Sequence, residues 1–316
     1  MAGQRLIVIG GPTASGKSAL AVALCRRLEG EVVSCDSMQL YRGMDIGTAT
    51  PTPQEMEGVP HYLLSVLAPG TPCSAAAYRA MALPVIQDIL NRGKTPVLCG
   101  GTGLYIDALT RPLGFSVKGD EGLRRELEAL PREVLHQRLA QVDPESAARL
   151  HPNDQRRVVR ALEVYLLTGA SLSSHMARDR GRAGDFSGVL FALDWPRPVL
   201  YARIDRRVEQ MMDQGLAQEV KALLAGGLKA GDTAMQAIGY KELAACFGGE
   251  GDLDQAVRTI QQNTRRYAKR QLTWFRRDER VHWLAAEGRK IEDIAEEIID
   301  ILRNLPDAQG EERGEP

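Results

Sequence analysis

The stretch Gly11-Pro12-Thr13-Ala14-Ser15-Gly16-Lys17-Ser18 combines residue types and spacing that can hold a chain of phosphates. Its glycines let the backbone turn tightly, so that several N–H groups point into one concavity. A helix starting near Gly16 would add its positive end. Lys17 supplies a point charge, and the Ser18 hydroxyl can ligate a magnesium ion. The expected ligand is a di- or triphosphate, and for the loop by itself a nucleotide such as ATP is the default.

Three further groups could do chemistry. Asp36 follows an apolar run and could serve as a general base, a magnesium ligand or the cap of a following turn. Ser37, Gln39 and Tyr41 add polar atoms beside it. Thr102 sits in Gly100-Gly101-Thr102-Gly103, where small neighbours would admit another molecule's backbone or base, or simply begin a helix with a threonine cap. Arg203, Arg206 and Arg207 lie in one helical pattern. Arg203 and Arg207 share a face that could close on a phosphate or stay solvated.

These residues need elements to position them. The first third alternates apolar strand patterns (Leu6 to Ile9, Glu31 to Cys35, His61 to Val66, Pro96 to Cys99) with helical ones (Lys17 to Leu28, Ala75 to Asn91). Such alternation predicts a parallel sheet flanked by helices, with ligands beyond the carboxyl ends of the strands. The phosphate loop, Asp36 and Thr102 all fall at such ends. The fold class expected is α/β, a P-loop NTPase-like parallel sheet flanked by helices with an inserted all-helical subdomain. The core would comprise residues 1–117 and 186–304, the insert 118–185, and a disordered tail 305–316. Within the second core segment the patterns give a strand over Gly188 to Trp195. Helices are expected over Val199 to Gln214, Ala217 to Leu224, Gln236 to Cys246 and Leu253 to about Arg276. A last strand, Val281 to Leu284, and a helix, Lys290 to Leu302, follow.

Bulk composition narrows the classes. The chain has 316 residues, 44% hydrophobic and 26% charged, typical of a globular protein. It shows no apolar run long enough to span a membrane and no signal segment. Its five cysteines are scattered without a C-x-x-C pair, which argues against a disulfide framework or a zinc site. A cytoplasmic, membrane-free and monomeric protein is expected. The net charge of −1 hides a strongly basic stretch, Arg258 to Arg280. There Arg265, Arg266, Lys269, Arg270, Arg276 and Arg277 interleave with Tyr267, Trp274 and Phe275. That composition suits a phosphate backbone with unstacked bases, and equally an amphipathic helix with a buried tryptophan.

Several blocks taken together resemble the bacterial tRNA dimethylallyltransferases, also called tRNA isopentenyl transferases. They are Gly11 to Ser18, Asp36-Ser37-Met38-Gln39-Leu40-Tyr41, Met44-Asp45-Ile46-Gly47-Thr48-Ala49 and Gly100-Gly101-Thr102-Gly103-Leu104-Tyr105. Asn153-Asp154 follows, with Arg156, Arg157 and Arg160-Ala161-Leu162-Glu163-Val164. The last blocks are Ala237-Ile238-Gly239-Tyr240-Lys241-Glu242 and Tyr267 to Arg276. They run in the family's order from near residue 5 to about residue 285. One departure is Thr50, where the family often has lysine. The zinc finger that eukaryotic members often add has no Cys/His counterpart here.

The resemblance implies transfer of a dimethylallyl group from dimethylallyl diphosphate to the exocyclic amine of an adenosine. That adenosine lies 3′ of the anticodon in tRNAs reading codons that begin with U. It implies Asp36 as the base and Thr102 as its partner in holding the adenine. Gly11, Pro12, Thr13, Ala14, Ser15, Gly16, Lys17, Ser18 and Arg207 would bind the diphosphate, with magnesium at Ser18. The tRNA anticodon stem-loop would meet Asp36, Ser37, Met38, Gln39 and Thr102. It would also meet Arg124, Arg156, Arg157, Val158, Val159 and Arg160 of the insert. The core would add Gln236, Ala237, Ile238, Gly239, Tyr240 and Lys241, then Lys269, Arg270, Gln271, Leu272, Thr273, Trp274, Phe275 and Arg276. The competing classes are a small-molecule kinase, which would release ADP, and a nucleic-acid-stimulated NTPase.

Overall fold

A computed structural model describes residues 4–112, 117, 119–179, 184–229 and 231–306. The expected disordered tail lies, from residue 307 on, outside the described residues. The elements in order are β1 (Arg5–Gly10), α1 (Lys17–Leu28), β2 (Gly30–Ser34), α2 (Asp45–Thr48), α3 (Pro53–Met56), β3 (His61–Tyr62), α4 (Ala75–Asn91), β4 (Thr95–Cys99) and α5 (Gly103–Thr110). Then come α6 (Glu121–Glu128), α7 (Arg132–Val142), α8 (Pro144–Arg149), α9 (Gln155–Thr168) and α10 (Leu172–Asp179). The chain continues with β5 (Ser187–Asp194), α11 (Arg197–Asp213), α12 (Leu216–Ala225), α13 (Tyr240–Phe247), α14 (Leu253–Phe275), β6 (Val281–Ala285) and α15 (Ile291–Asn304). Two compact units result, residues up to 110 with those from 185 on, and residues 111–184.

The first unit holds one six-stranded sheet in the order β3-β2-β4-β1-β5-β6, every pairing parallel. The central strands are short apolar runs buried on both faces, as a parallel sheet demands. Alternate residues Ile7, Ile9, Val97, Phe191 and Leu193 pack with Leu20, Leu24, Ile294 and Ile298 of α1 and α15. The intervening Leu6, Val8, Leu98 and Leu190 are buried on the other side of the pleat. A separate apolar cluster joins Tyr41 and Met44 to α11, α12, α13 and α14 through Val208, Leu216, Val220, Tyr240 and Ile260.

Two sequence expectations need correction. The strand expected over His61 to Val66 stops after Tyr62, because Leu63 and Ser65 take left-handed backbone angles (φ 60° and 51°). The chain then pairs with the loop after β2 instead, Ser65 N–H to Gln39 O and Leu67 N–H to Leu40 O, both 2.8 Å. The helix expected over Gln236 to Cys246 is broken at Gly239 (φ 98°) into a single 3-10 turn, Ala234–Gln236, and α13. The Glu242 carboxylate accepts the Gly239 N–H at 2.7 Å and restarts the helix. The short α3 carries a Thr52–Glu55 capping box that the sequence reading passed over.

The second unit is helical throughout its regular structure, α6 to α10, around Leu127, Leu135, Leu139, Val158, Val159 and Leu162. Its fully buried Glu163 carboxylate accepts the Asp120 N–H at 2.7 Å and pairs with Arg124 and Arg160. Among the described residues no helix is long and apolar enough to cross a membrane. All five cysteines are free thiols.

Candidate active site

The loop from Gly11 to Gly16 owes its shape to three left-handed residues, Gly11 (φ 125°), Ala14 (φ 62°) and Gly16 (φ 99°). Only Ala14 pays a steric cost there. Side-chain donors hold its carbonyls from outside. Arg203 Nε–H reaches Ala14 O at 2.9 Å, and the Trp195 indole N–H reaches Ser15 O at 2.8 Å. The Arg203 guanidinium in turn stacks over the Trp195 ring, 4.3 Å from its centroid. With the carbonyls tied outward, the amides at the start of α1 are left for an anion. The Ser15 hydroxyl is buried without a hydrogen-bond partner, lying on the Gly11 side of the loop. An orphaned donor inside such a loop suits a phosphate oxygen.

Lys17 folds back onto Pro12 O at 3.3 Å. Burial lowers its pKa below the ordinary lysine value, opposed by the nearby Asp36 carboxylate. Arg207 is lowered likewise by burial, and Asp36 and Glu55 oppose that shift. Lys17 and Arg207 feel each other as like charges. Two half-buried cations therefore lie close enough to Asp36 to feel its charge. The structure separates the three arginines of α11. Arg207 lies near Lys17 and Asp36, Arg203 braces the loop from behind, and Arg206 is exposed.

Asp36 lies just past β2. Its Oδ1 accepts the Met38 N–H at 3.0 Å, so the capping reading holds for one of its oxygens. Thr102 stands at the start of α5. Its Oγ1 accepts the Ser37 N–H at 3.0 Å, while its own N–H donates to Cys35 O at 3.2 Å. Thus the Asp36 and Thr102 loops are stitched together across β2 and β4. Gln39 is occupied structurally: its amide donates to Thr48 O and Ala49 O, and its oxygen accepts from Ser34. Thr50, at the departure from the family pattern, bonds the Thr48 hydroxyl at 2.9 Å.

Sequence reasoning missed how α14 is used. Its outer face exposes Arg266, Lys269, Arg270 and Thr273, and Arg276 and Arg277 are exposed just past its end. Its inner face touches the phosphate loop and the loop from Gly101 to Gly103. Burial, with the Asp36 charge, raises the pKa of Tyr267. Gln271 bonds both Thr13 and Gly101. A side chain on Gly101 would collide with Gln271, one on Gly103 with Trp274, and one on Gly10 with Phe275. The room that Gly101 and Gly103 leave is thus filled by this chain's own helix, where an external base or backbone was one expectation. Helical periodicity with glycines opposite bulky residues was the available signal.

The expected nucleic-acid face is corrected accordingly. Val158, Val159, Ala237, Gly239, Tyr240, Gln271 and Phe275 are buried in their units and do not present side chains at the surface. Leu272, Trp274, Ile238, Ser37 and Met38 are half-buried, and Gln236 and Lys241 are exposed. In the helical unit Arg156 and Arg157 are exposed, whereas Arg124 and Arg160 are engaged with Glu163.

Comparison with known proteins shows the family. Residues 39–278 match the family described as IPP transferase. A curated protein of Geobacter metallireducens named tRNA dimethylallyltransferase is 50% identical over 289 residues, covering 90% of this chain and 94% of its own. Its namesake in Moorella thermoacetica is 45% identical over 314 residues, covering 96% and 97%. The crystal structure of a tRNA isopentenylpyrophosphate transferase from Staphylococcus epidermidis superposes with a TM-score of 0.71 at 41% identity, covering 95% of this chain and 99% of that one. A eukaryotic dimethylallyltransferase solved acting on tRNA gives 0.83 at 29% identity, covering 97% and 81%. With its family profile, its relatives over nearly their full length and its fold in agreement, this chain belongs to the IPP transferase family.

Proposed function

We propose that this chain transfers a dimethylallyl group from dimethylallyl diphosphate to the exocyclic amine of the adenosine 3′ of the anticodon, in tRNAs reading codons that begin with U. The supporting observation is the closeness of Lys17 and Arg207 to Asp36. Two cations and a ring of amides suit a departing diphosphate, and one carboxylate suits the incoming amine. The bond from the allylic carbon to oxygen breaks, and its electrons pass to the diphosphate. The amine nitrogen bonds to that carbon and Asp36 takes the released proton. Thr102 and Tyr267 flank the carboxylate and would fix the adenine's angle of attack, once the base has left its stack.

Magnesium fits the residues present. Ser18 offers a hard hydroxyl oxygen at the start of α1. Among the described residues no group of three His, Cys, Asp or Glu could hold an ion alone. Magnesium commonly keeps its waters and binds through substrate phosphates, and when bound it would neutralise charge on the leaving group. Arg156 and Arg157 of the helical unit, and Lys241, Lys269, Arg270 and Arg276 of the other, are the exposed cations assigned to tRNA phosphates. A cytoplasmic monomer completes the reading.

Incubation with labelled dimethylallyl diphosphate and unmodified tRNA, followed by nucleoside analysis, tests it. Prenylated adenosine is expected, with a loss on the order of 10²–10⁴ in rate for Asp36→Asn at nearly unchanged tRNA affinity. A kinase would instead release ADP, and an NTPase would hydrolyse nucleotide on adding RNA. Either outcome, without prenylated adenosine, overturns the reading.

A further inference from the structure

Gln271 sits in the basic stretch of α14, yet it is only 5% exposed and turns away from the RNA-facing side. Its carboxamide is used at both ends. Oε1 accepts the Thr13 N–H at 2.9 Å, and Nε2 donates to Gly101 O at 3.0 Å. Thr13 belongs to the loop that would hold the diphosphate. Gly101 precedes Thr102, in the loop that would hold the adenine. We infer that Gln271 is a positioning residue that fixes the separation of the donor loop from the acceptor loop.

The geometry favours this role over simple core filling. A core position needs volume, and Leu or Met would supply it without polar atoms to satisfy. Here one planar amide meets a donor on one loop and an acceptor on the other, an orientation that sets both their distance and their twist. The site is tight, since any side chain on Gly101 would strike Nε2. One turn earlier on the same helix, the half-buried Tyr267 lies near enough to Asp36 to feel its charge. The helix that presents Lys269 and Arg270 outward thereby aligns both reactants inward. Misplacing reacting atoms by even an ångström is costly in a two-substrate transfer.

This role rests on the proposed prenyl transfer, and the experiment keeps the two apart. Single-turnover transfer is measured with enzyme in excess over tRNA. The rate constant then reports alignment, and the amplitude reports the folded fraction. Q271M, which keeps volume and loses both bonds, is expected to slow the step roughly tenfold or more. Its tRNA affinity by filter binding should stay native. Q271E supplies a second readout. Its ionised carboxyl can accept from Thr13 but faces the Gly101 carbonyl with like charge. Its protonated form reproduces both bonds. The ratio of Q271E to native rate should therefore climb as pH falls from 8 to 5.5. A Q271M rate within twofold of native, or a Q271E ratio flat with pH, overturns the assignment. Should the native enzyme transfer no prenyl group, the proposed reaction fails, and hydrogen exchange decides the bridge. Q271M must then speed exchange of the amides in residues 10–16 and 100–103, and unchanged exchange there overturns it.

Discussion

Arg203 donates its Nε hydrogen to the carbonyl of Ala14 at 2.9 Å, and Ala14 is the one residue other than glycine in the phosphate loop held at a left-handed angle, φ 62°. A strained residue persists where its surroundings over-determine it. Here an arginine one helical turn before Arg207 does so from behind the loop. Two arginines on one face of α11 would thus serve the proposed diphosphate differently. Arg203→Ala should loosen the loop and raise KM for the allylic diphosphate by about tenfold, the worth of one charge-assisted bond, with kcat little changed. Arg207→Ala should lower kcat by roughly 10²–10³, as loss of a cation facing a leaving anion does. Steady-state kinetics at saturating tRNA distinguishes them.

Lys17 gives a pH dependence with two opposite slopes. Burial depresses its pKa in the folded protein, so above that value the unfolded chain binds more protons and stability rises with pH until the ordinary lysine value, 10.5, is passed. Diphosphate binding needs the charged ammonium, so affinity falls over the same window. Calorimetric titration with inorganic pyrophosphate from pH 7 to 10, set beside urea unfolding, should show both trends. Both should shrink in Lys17→Met.

Changing Lys269 and Arg270 to alanine should weaken anticodon stem-loop binding and flatten its dependence on salt. The slope of log K against log salt should fall by about 1.4–1.8, the share of two phosphate contacts. Pyrophosphate affinity should not change, because neither side chain turns towards the loop. Filter binding between 50 and 200 mM salt checks this.

Glu163 tests the helical unit by itself. Burial alone would raise its pKa, but hydrogen bonds from Arg160, the Asp120 N–H and Arg124 hold it below the usual carboxylate range. Its contribution to stability is therefore present at neutral pH and lost as pH falls below the ordinary glutamate value, 4.5, through the depressed one. Glu163→Ala should destabilise this unit by about 2–4 kcal/mol, since it strands two half-buried arginines and an amide. Hydrogen exchange should quicken in α6, α7 and α9 while the sheet amides of β1 and β4 keep their protection.

The sequence by itself determined what is local. Gly11 to Ser18 announces its loop because glycine and lysine at that spacing act through their own backbone and charge. Lys17–Leu28, Ala75–Asn91 and the start of α14 were legible because 3.6-residue periodicity and caps are short-range properties. The alternation of strands and helices carried the parallel sheet. Only the tertiary structure decided which arginine comes near Lys17 and Asp36. Arg203, Arg206 and Arg207 are chemically alike, and their roles depend on what α11 packs against. It also decided that Gly101 and Gly103 admit Gln271 and Trp274, since a glycine shows that room is needed but never for whom. It turned Gln271 inward from a basic run, and it ended β3 at Tyr62. Each of those outcomes depends on partners more than a hundred residues away or on a neighbouring loop's hydrogen bonds, and no local pattern encodes them.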